Sequence, residues 1–128
     1  MIKVEQAMDD RVAEFEDYIK QKYIDILDDF GIYLDDITNS IYLSELYIEP
    51  AYRGDGNGNM IMNEILEFAD NVNLPVVLIP EPEKLTKNAE KRLITFYKRF
   101  GFVINKGRNR DCTLSLPFST TMYRKPKS

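Results

Sequence analysis

Apolar residues recur every three or four positions at Val12, Phe15, Ile19, Tyr23, Ile26 and Phe30, and the acids and lysines between them fall on the opposite side. That spacing predicts one or two amphipathic helices over residues 5–30, with Gly31 closing the last turn. Alternation then takes over: Ile32 to Asp36 and Ile41 to Ile48 read as strands joined through Ile37-Thr38-Asn39-Ser40, an antiparallel pair. Helical spacing returns at Ile61, Ile65, Phe68 and Val72, with Met62, Leu66 and Ala69 beside them, for a helix over 59–72. Asn73-Leu74-Pro75 leads into a buried strand, Val76 to Ile79, which Pro80 and Pro82 terminate. A loop from Glu81 to Lys87 precedes a helix from Asn88 to Phe100, with Leu93, Phe96, Tyr97 and Phe100 on one face. Phe102 to Asn105 is read as a strand and Gly107 to Arg110 as a turn. Two short strands, Thr113 to Leu116 and Thr121 to Arg124, come before a loose end at Pro126-Lys127-Ser128. Strands alternating with helices, without repeats or low-complexity tracts, place the chain in the mixed α/β class.

The most informative stretch lies between the strand ending at Ile48 and the helix that follows. Arg53-Gly54-Asp55-Gly56-Asn57-Gly58 holds three glycines in six residues, so backbone N–H groups can converge on an anion where the helix dipole also favours negative charge. Asp55-Gly56 and Asn57-Gly58 are also hairpin dipeptides, but the helical period after Gly58 disfavours a return strand. No Lys-Ser or Lys-Thr follows, which disfavours a triphosphate loop of the Walker type. The spacing of the glycines and the absence of a suitably placed acid fit a dinucleotide fingerprint poorly. A diphosphate cradle is the reading that stands.

The run from Leu46 to Gly58 resembles the acetyl-CoA signature of the GNAT superfamily of N-acetyltransferases, whose core is (Gln or Arg)-x-x-Gly-x-(Gly or Ala). A second element, Phe96-Tyr97-Lys98-Arg99-Phe100-Gly101-Phe102, resembles the family's Tyr-x-x-x-Gly-Phe. The two span roughly residues 41 to 104 in the family's order. The tail, Lys106-Gly107-Arg108-Asn109 and Met122-Tyr123-Arg124, is similar to that of short acetyltransferases encoded by phages and prophages. The resemblance implies an α+β fold with a mostly antiparallel sheet, splayed between two parallel strands that end at Ile48 and Ile79 and flanked by helices. It also implies that the main chain of Leu46, Tyr47 and Ile48 meets the pantetheine arm of acetyl-CoA, with the Leu46 amide nearest the thioester oxygen. Arg53, Gly54, Asp55, Gly56, Asn57, Gly58 and Asn59 would then hold the diphosphate. Relatives place a pantetheine-contacting asparagine seven residues before the tyrosine. Glu90 stands there in this chain and Asn88 two residues earlier, so the contact is shifted to Asn88 or missing.

Composition agrees with one domain over residues 1–128: the chain is 44% hydrophobic and 30% charged, and its size allows about two-thirds of its unfolded surface to be buried. No apolar run approaches the ~20 residues that cross a bilayer, and Met1-Ile2-Lys3-Val4-Glu5 lacks a signal-peptide core, so no membrane partner and a cytoplasmic location are expected. Cys112 is the only cysteine and histidine is absent, which excludes cysteine-rich zinc sites and any Cys-His or Ser-His arrangement; no metal is expected, and Cys112 reads as an ordinary buried or half-buried thiol. Acids crowd the first 50 residues, from Asp9 to Glu49, and bases gather from Lys98 to Lys127, within a net charge of −4. Acidic surface near an acceptor site attracts cationic amines, and late bases can meet CoA phosphates. The basic residues are too few for a nucleic-acid partner.

On the resemblance, an amine attacks acetyl-CoA directly, without a covalent acetyl-enzyme. Tyr97 is the candidate acid that protonates the departing thiolate. Glu45 and Glu81 are the candidate bases, although relatives often carry a glutamate where this chain has Tyr42. Two functions stay open: an N-acetyltransferase acting on a small amine or on a protein lysine or N-terminus, and a non-catalytic acyl-CoA-binding module that acts through a protein partner. A homodimer stays open as well, since dimers are common in that family.

Overall fold

The computed structural model describes residues 2–82, 86–117 and 119–127, and the side chains of residues 2–7 lie outside that description. Helix α1 spans Ile2–Lys22, strand β1 Leu27–Asp35 and strand β2 Ser40–Ile48. Helix α2 spans Asn57–Val72, strand β3 Val76–Leu78 and helix α3 Lys87–Lys98, and the chain ends through β4, Val103–Ile104, and β5, Met122–Arg124. The five strands form one sheet in the order β1-β2-β3-β5-β4. β2 and β3 run parallel, and the other described pairs are antiparallel. The expected mixed, mostly antiparallel sheet is therefore present.

The first helix ends earlier than its apolar spacing implies. Phe30 and Gly31, expected to close it, lie inside β1. The reason is tertiary: Phe30 and Ile32 are buried and stand opposite Leu46 and Leu43 of β2, and a long cross-strand ladder outweighs a local period. Gly31 has no capping role. A Cβ there would fall 2.5 Å from Ser44 Oγ, so glycine makes room where the two strands come closest. A carboxylate oxygen of Glu16 on α1 accepts the Ile32 N–H at 3.0 Å, which satisfies an amide of the edge strand.

Ser44 marks an irregularity that shapes the site. The β1–β2 pairing steps from Gly31↔Glu45 to Ile32↔Leu43, which leaves Ser44 as an extra residue on β2, a β-bulge. Ile41 and Leu43 are buried before it, and after it the residues packed against the same core are Leu46 and Ile48. Strict alternation would have sent Glu45 and Tyr47 there instead.

Residues from all three helices meet in one core cluster with Phe30, Ile32, Ile41, Leu43, Val76 and Leu78. Phe15 of α1 stacks on Phe68 of α2, with ring centroids 4.3 Å apart. Glu64 of α2 accepts hydrogen bonds from Tyr18 (2.8 Å) and Tyr23 and an ion pair from Lys22 (3.1 Å), stitching the two helices together. These donors hold the Glu64 carboxyl below its usual range despite the opposing cost of its burial. A smaller cluster, Val77, Leu114 and Tyr123, lies apart from the main core.

The tail differs from expectation at Thr113 to Leu116. A 3₁₀ turn occupies Cys112–Leu114, and Leu116 makes only an isolated bridge with Ser119. Polar side chains decide this. The Asp111 carboxylate accepts the Thr113 N–H at 3.0 Å, and the buried Asn105 amide spans Asp111 O, Ser115 Oγ and Thr121 Oγ1. Cys112 is exposed, contrary to the buried or half-buried thiol expected. Part of the expected loop from Glu81 to Lys87, residues 83–85, lies outside the described residues, and Lys87 already begins α3.

Candidate active site

Pairing between β2 and β3 stops at Leu43↔Leu78, whereas β2 runs on to Ile48. The strands part there, and backbone on the β3 side of Ser44 to Ile48 is left without a strand neighbour, which β-sheets do not tolerate unless something else fills the gap. A cavity of about 730 Å³ occupies the opening, within the range of small-molecule sites. Its walls come from β2, from the loop before α2, from Ile79 to Pro82 after β3, and from one face of α3.

The glycine loop forms one end. Gly54 and Gly56 have φ values of +85° and +83°, the left-handed region that L side chains rarely adopt. Gly56 caps α2 with no side-chain hydrogen bond to the first-turn amides, so those N–H groups keep their donor capacity toward the cavity, at the positive end of the helix dipole. The helix begins at Asn57 and not at residue 59, which puts Gly58 in its first turn. A Cβ on Gly58 would lie 3.4 Å from the Phe96 ring, so glycine lets α3 close over the loop. The loop is tied down as well: Asn57 Nδ2 donates to Tyr52 O at 3.0 Å, and Arg53 Nε donates to Ile48 O at 2.8 Å.

The arrangement fits a diphosphate carrier, with converging amides at one end and an arm-width slot at the other. Gly56→Val is therefore expected to weaken acetyl-CoA binding about fivefold to thirtyfold, because a β-branched residue resists the left-handed conformation by roughly 1–2 kcal/mol. Isothermal titration checks it.

The chain brings together most of the residues its sequence pointed to. Glu45, Leu46, Tyr47, Ile48, Arg53, Gly54, Gly56, Gly58, Asn59, Glu81 and Tyr97 all line the cavity. Asp55, Asn57 and Asn88 do not. Asp55 is exposed, the side chain of Asn57 serves the loop, and Asn88 sits exposed in the first turn of α3 while Ala89 faces the cavity. The Ile48 carbonyl, expected to face the pantetheine arm, accepts from Arg53. Sequence reasoning missed Arg92 and counted Arg99 only among the late bases that can meet CoA phosphates; the two line the cavity on either side of Phe96. Arg99 lies over that ring at 5.4 Å. Their spacing from Phe96, four and three residues, was the available signal, since such neighbours share a helix face.

Tyr97 is buried at 6% exposure, yet lines the cavity. Burial first, and the nearby Tyr47 second, hold its phenol well above the usual tyrosine range, so it stays protonated at any working pH and is a donor rather than a base. Tyr47 also reaches across the opening, its hydroxyl donating weakly to Glu81 O at 3.4 Å. On the β2 wall, the neighbouring Asp29 carboxyl, through hydrogen bonding first and charge second, raises the Glu45 carboxyl above its usual value. Glu16 raises it and Lys20 lowers it by smaller amounts. The cations on the cavity wall, Arg53, Arg92 and Arg99, thus come from the glycine loop and α3, and the carboxylates, Glu45 and Glu81, from the strand side.

A family model described as an acetyltransferase (GNAT) domain matches residues 12–104. The chain belongs to the GNAT acetyltransferase family. Among solved structures it is similar to the GNAT-family acetyltransferase of Staphylococcus aureus Mu50, at 17% identity and a TM-score of 0.55, over 77% of this chain and 58% of that one. It is likewise similar to the anti-CRISPR protein AcrVA5, at 16% identity and a TM-score of 0.54, over 75% of this chain and 87% of that one. At these identities the likeness establishes the fold. No curated protein sequence matches the chain.

Proposed function

We propose that residues 1–128 form a single acetyl-CoA-dependent N-acetyltransferase domain that moves an acetyl group directly to a primary amine. The observation that carries this reading is the cavity in the sheet opening, with uncapped amides at one end and a buried, protonated Tyr97 in its wall. The first-turn amides of α2 and the loop would hold the diphosphate, and the Leu46 amide would face the thioester oxygen as negative charge develops there. The amine nitrogen forms its bond to the acetyl carbon, the carbon–sulfur bond breaks, and the sulfur leaves as a thiolate. Tyr97 donates a proton to that sulfur. Glu45, directly or through water, takes the proton the amine loses.

Magnitudes favour positioning over proton transfer. Deprotonating a lysine-like amine at pH 7 costs about 4 to 5 kcal/mol, and a general base typically contributes ~10² to 10⁴ in rate. Alignment of the two reactants is worth roughly 7 to 11 kcal/mol. A base displaced from the family's usual position, with Tyr42 in its place, is therefore compatible with turnover.

Free thiol released from acetyl-CoA in the presence of a pool of amines and peptides tests the reading. Release above the blank is expected. Binding without release on any acceptor would favour a non-catalytic acyl-CoA-binding module instead.

Glu45 gives the reaction a pH signature. It must be ionised to act, so kcat/KM should rise through an acid limb that Asp29 displaces upward from that of an isolated glutamate. Asp29→Asn removes the cause and should move that limb to lower pH. A pH–rate profile in which the limb stays put would take Glu45 out of the proton path.

A further inference from the structure

The β1–β2 register places Asp29, Gly31 and Tyr33 on one side of the sheet, opposite Tyr47, Glu45 and Tyr42. It is the side away from Phe30, Ile32 and Leu43, which face the main core. Tyr33 is 48% exposed there, and its ring lies 5.2 Å from that of the half-buried Tyr42. Glu45 and Tyr47 belong both to this face and to the wall of the cavity, so the open face runs into the opening where the amine must arrive. Carboxylates predominate on it: Asp29 and Glu45 stand on it, Asp35 and Glu81 lie close enough to act on the Tyr42 phenol, and Lys20 of α1 is the cation that acts on Glu45.

Tyr42 packs at one edge against the small cluster of Val77, Leu114 and Tyr123, and the rest of the face, with the exposed Tyr33 and the carboxylates, complements an extended, cationic chain. The aromatic rings take the stems and heads of basic side chains, and the carboxylates supply the opposite charge. Gly31, directly opposite Glu45 in the ladder, adds no side chain of its own there, and the Ser44 hydroxyl fills the space a Cβ would take.

Resting on the acetyltransferase reading, we infer that the open face of β1 and β2 docks a basic segment of a protein acceptor. Its lysine enters beside Glu45, and neighbouring cationic side chains lie across Tyr33 and Tyr42 and against Asp29. The step along β2 from Glu45 to Tyr42 is about 10 Å, which an extended peptide covers in about three residues. The preferred acceptor lysine therefore has arginine or lysine two or three residues away.

Two end-blocked peptides of equal length test it, each with a single lysine, one with arginines and the other with glutamates two and three positions away. At 50 mM salt the arginine peptide should be acetylated with a kcat/KM at least tenfold higher, and the gap should shrink at 500 mM as screening grows. The variant Tyr33→Ser should raise KM for the arginine peptide at least threefold with kcat within twofold. The rise in melting temperature caused by acetyl-CoA should be that of the parent protein. Equal rates for the two peptides, an unchanged KM in the Tyr33→Ser variant, or acetylation of neither peptide by a protein that acetyl-CoA stabilises would each overturn the docking surface. Absence of any acetyl-CoA stabilisation would instead overturn the acetyltransferase reading on which it rests.

Discussion

Tyr97→Phe is expected to lower turnover at least tenfold while the protein stays folded and still binds acetyl-CoA. The ring is fixed by packing on Phe102 and against Phe96, with centroids 5.6 and 5.3 Å away, and phenylalanine keeps all of that apolar contact. What disappears is one hydroxyl. That hydroxyl keeps its proton because burial penalises the phenolate, and a donor of this kind aimed at a departing thiolate contributes about 10² or more. The loss should fall on kcat, since the thiolate develops only in the transition state. Steady-state rates alongside a thermal melt decide it, and unchanged turnover removes Tyr97 from the chemistry.

Asp70→Asn is expected to cost about 3 kcal/mol of stability, because it strips the carboxylate from a buried guanidinium. Arg124 is 6% exposed and donates two hydrogen bonds to Asp70, at 2.9 and 3.1 Å, and the Lys127 N–H adds a third at 2.9 Å. The pair ties the end of α2 to β5, the strand between β3 and β4. The Arg124 bonds, more than the amide, pull the Asp70 carboxyl below its usual range. The unfolded chain therefore takes up the proton first as pH falls. The stabilisation is complete above about pH 4 and fades as the solution is acidified through the lowered native value. Urea unfolding at pH 7 and pH 3 should show the parent losing stability on acidification and the Asn variant losing less. Identical slopes would mean that the ion pair adds nothing.

Much of the site was legible because local chemistry and tertiary structure agree there. Glycines before a helical period can do little besides free amides at a helix start, and Gly54 and Gly56 do adopt the left-handed conformation that only glycine takes readily. The Tyr97-to-Phe102 element was equally readable, since Gly101, at φ +91°, turns α3 toward β4. The misreadings fell where long-range partners overrode local pattern. Phe30 satisfied the helical period, yet its place was set by Leu46 across the ladder. Thr113 to Leu116 looked extended, but the side chains of Asn105 and Asp111 took over its backbone groups. Arg92 was passed over, and Arg99 was read only as one of many late bases, because a helix surface says nothing of what faces it until Gly58 and Phe96 are seen side by side.

One extra residue in β2 has an evolutionary corollary. Deleting Ser44 would leave Glu45 alone between Leu43 and Leu46, a regular alternation in which Leu46 and Ile48 still face the interior and Glu45 and Tyr47 still face away, without the bulge. The bulge thus absorbs the extra residue without changing which side chains β2 buries, and what it alters is the local bend of the strand. A frame-preserving loss of that single codon should therefore spare the buried pattern while straightening β2 beside the cavity.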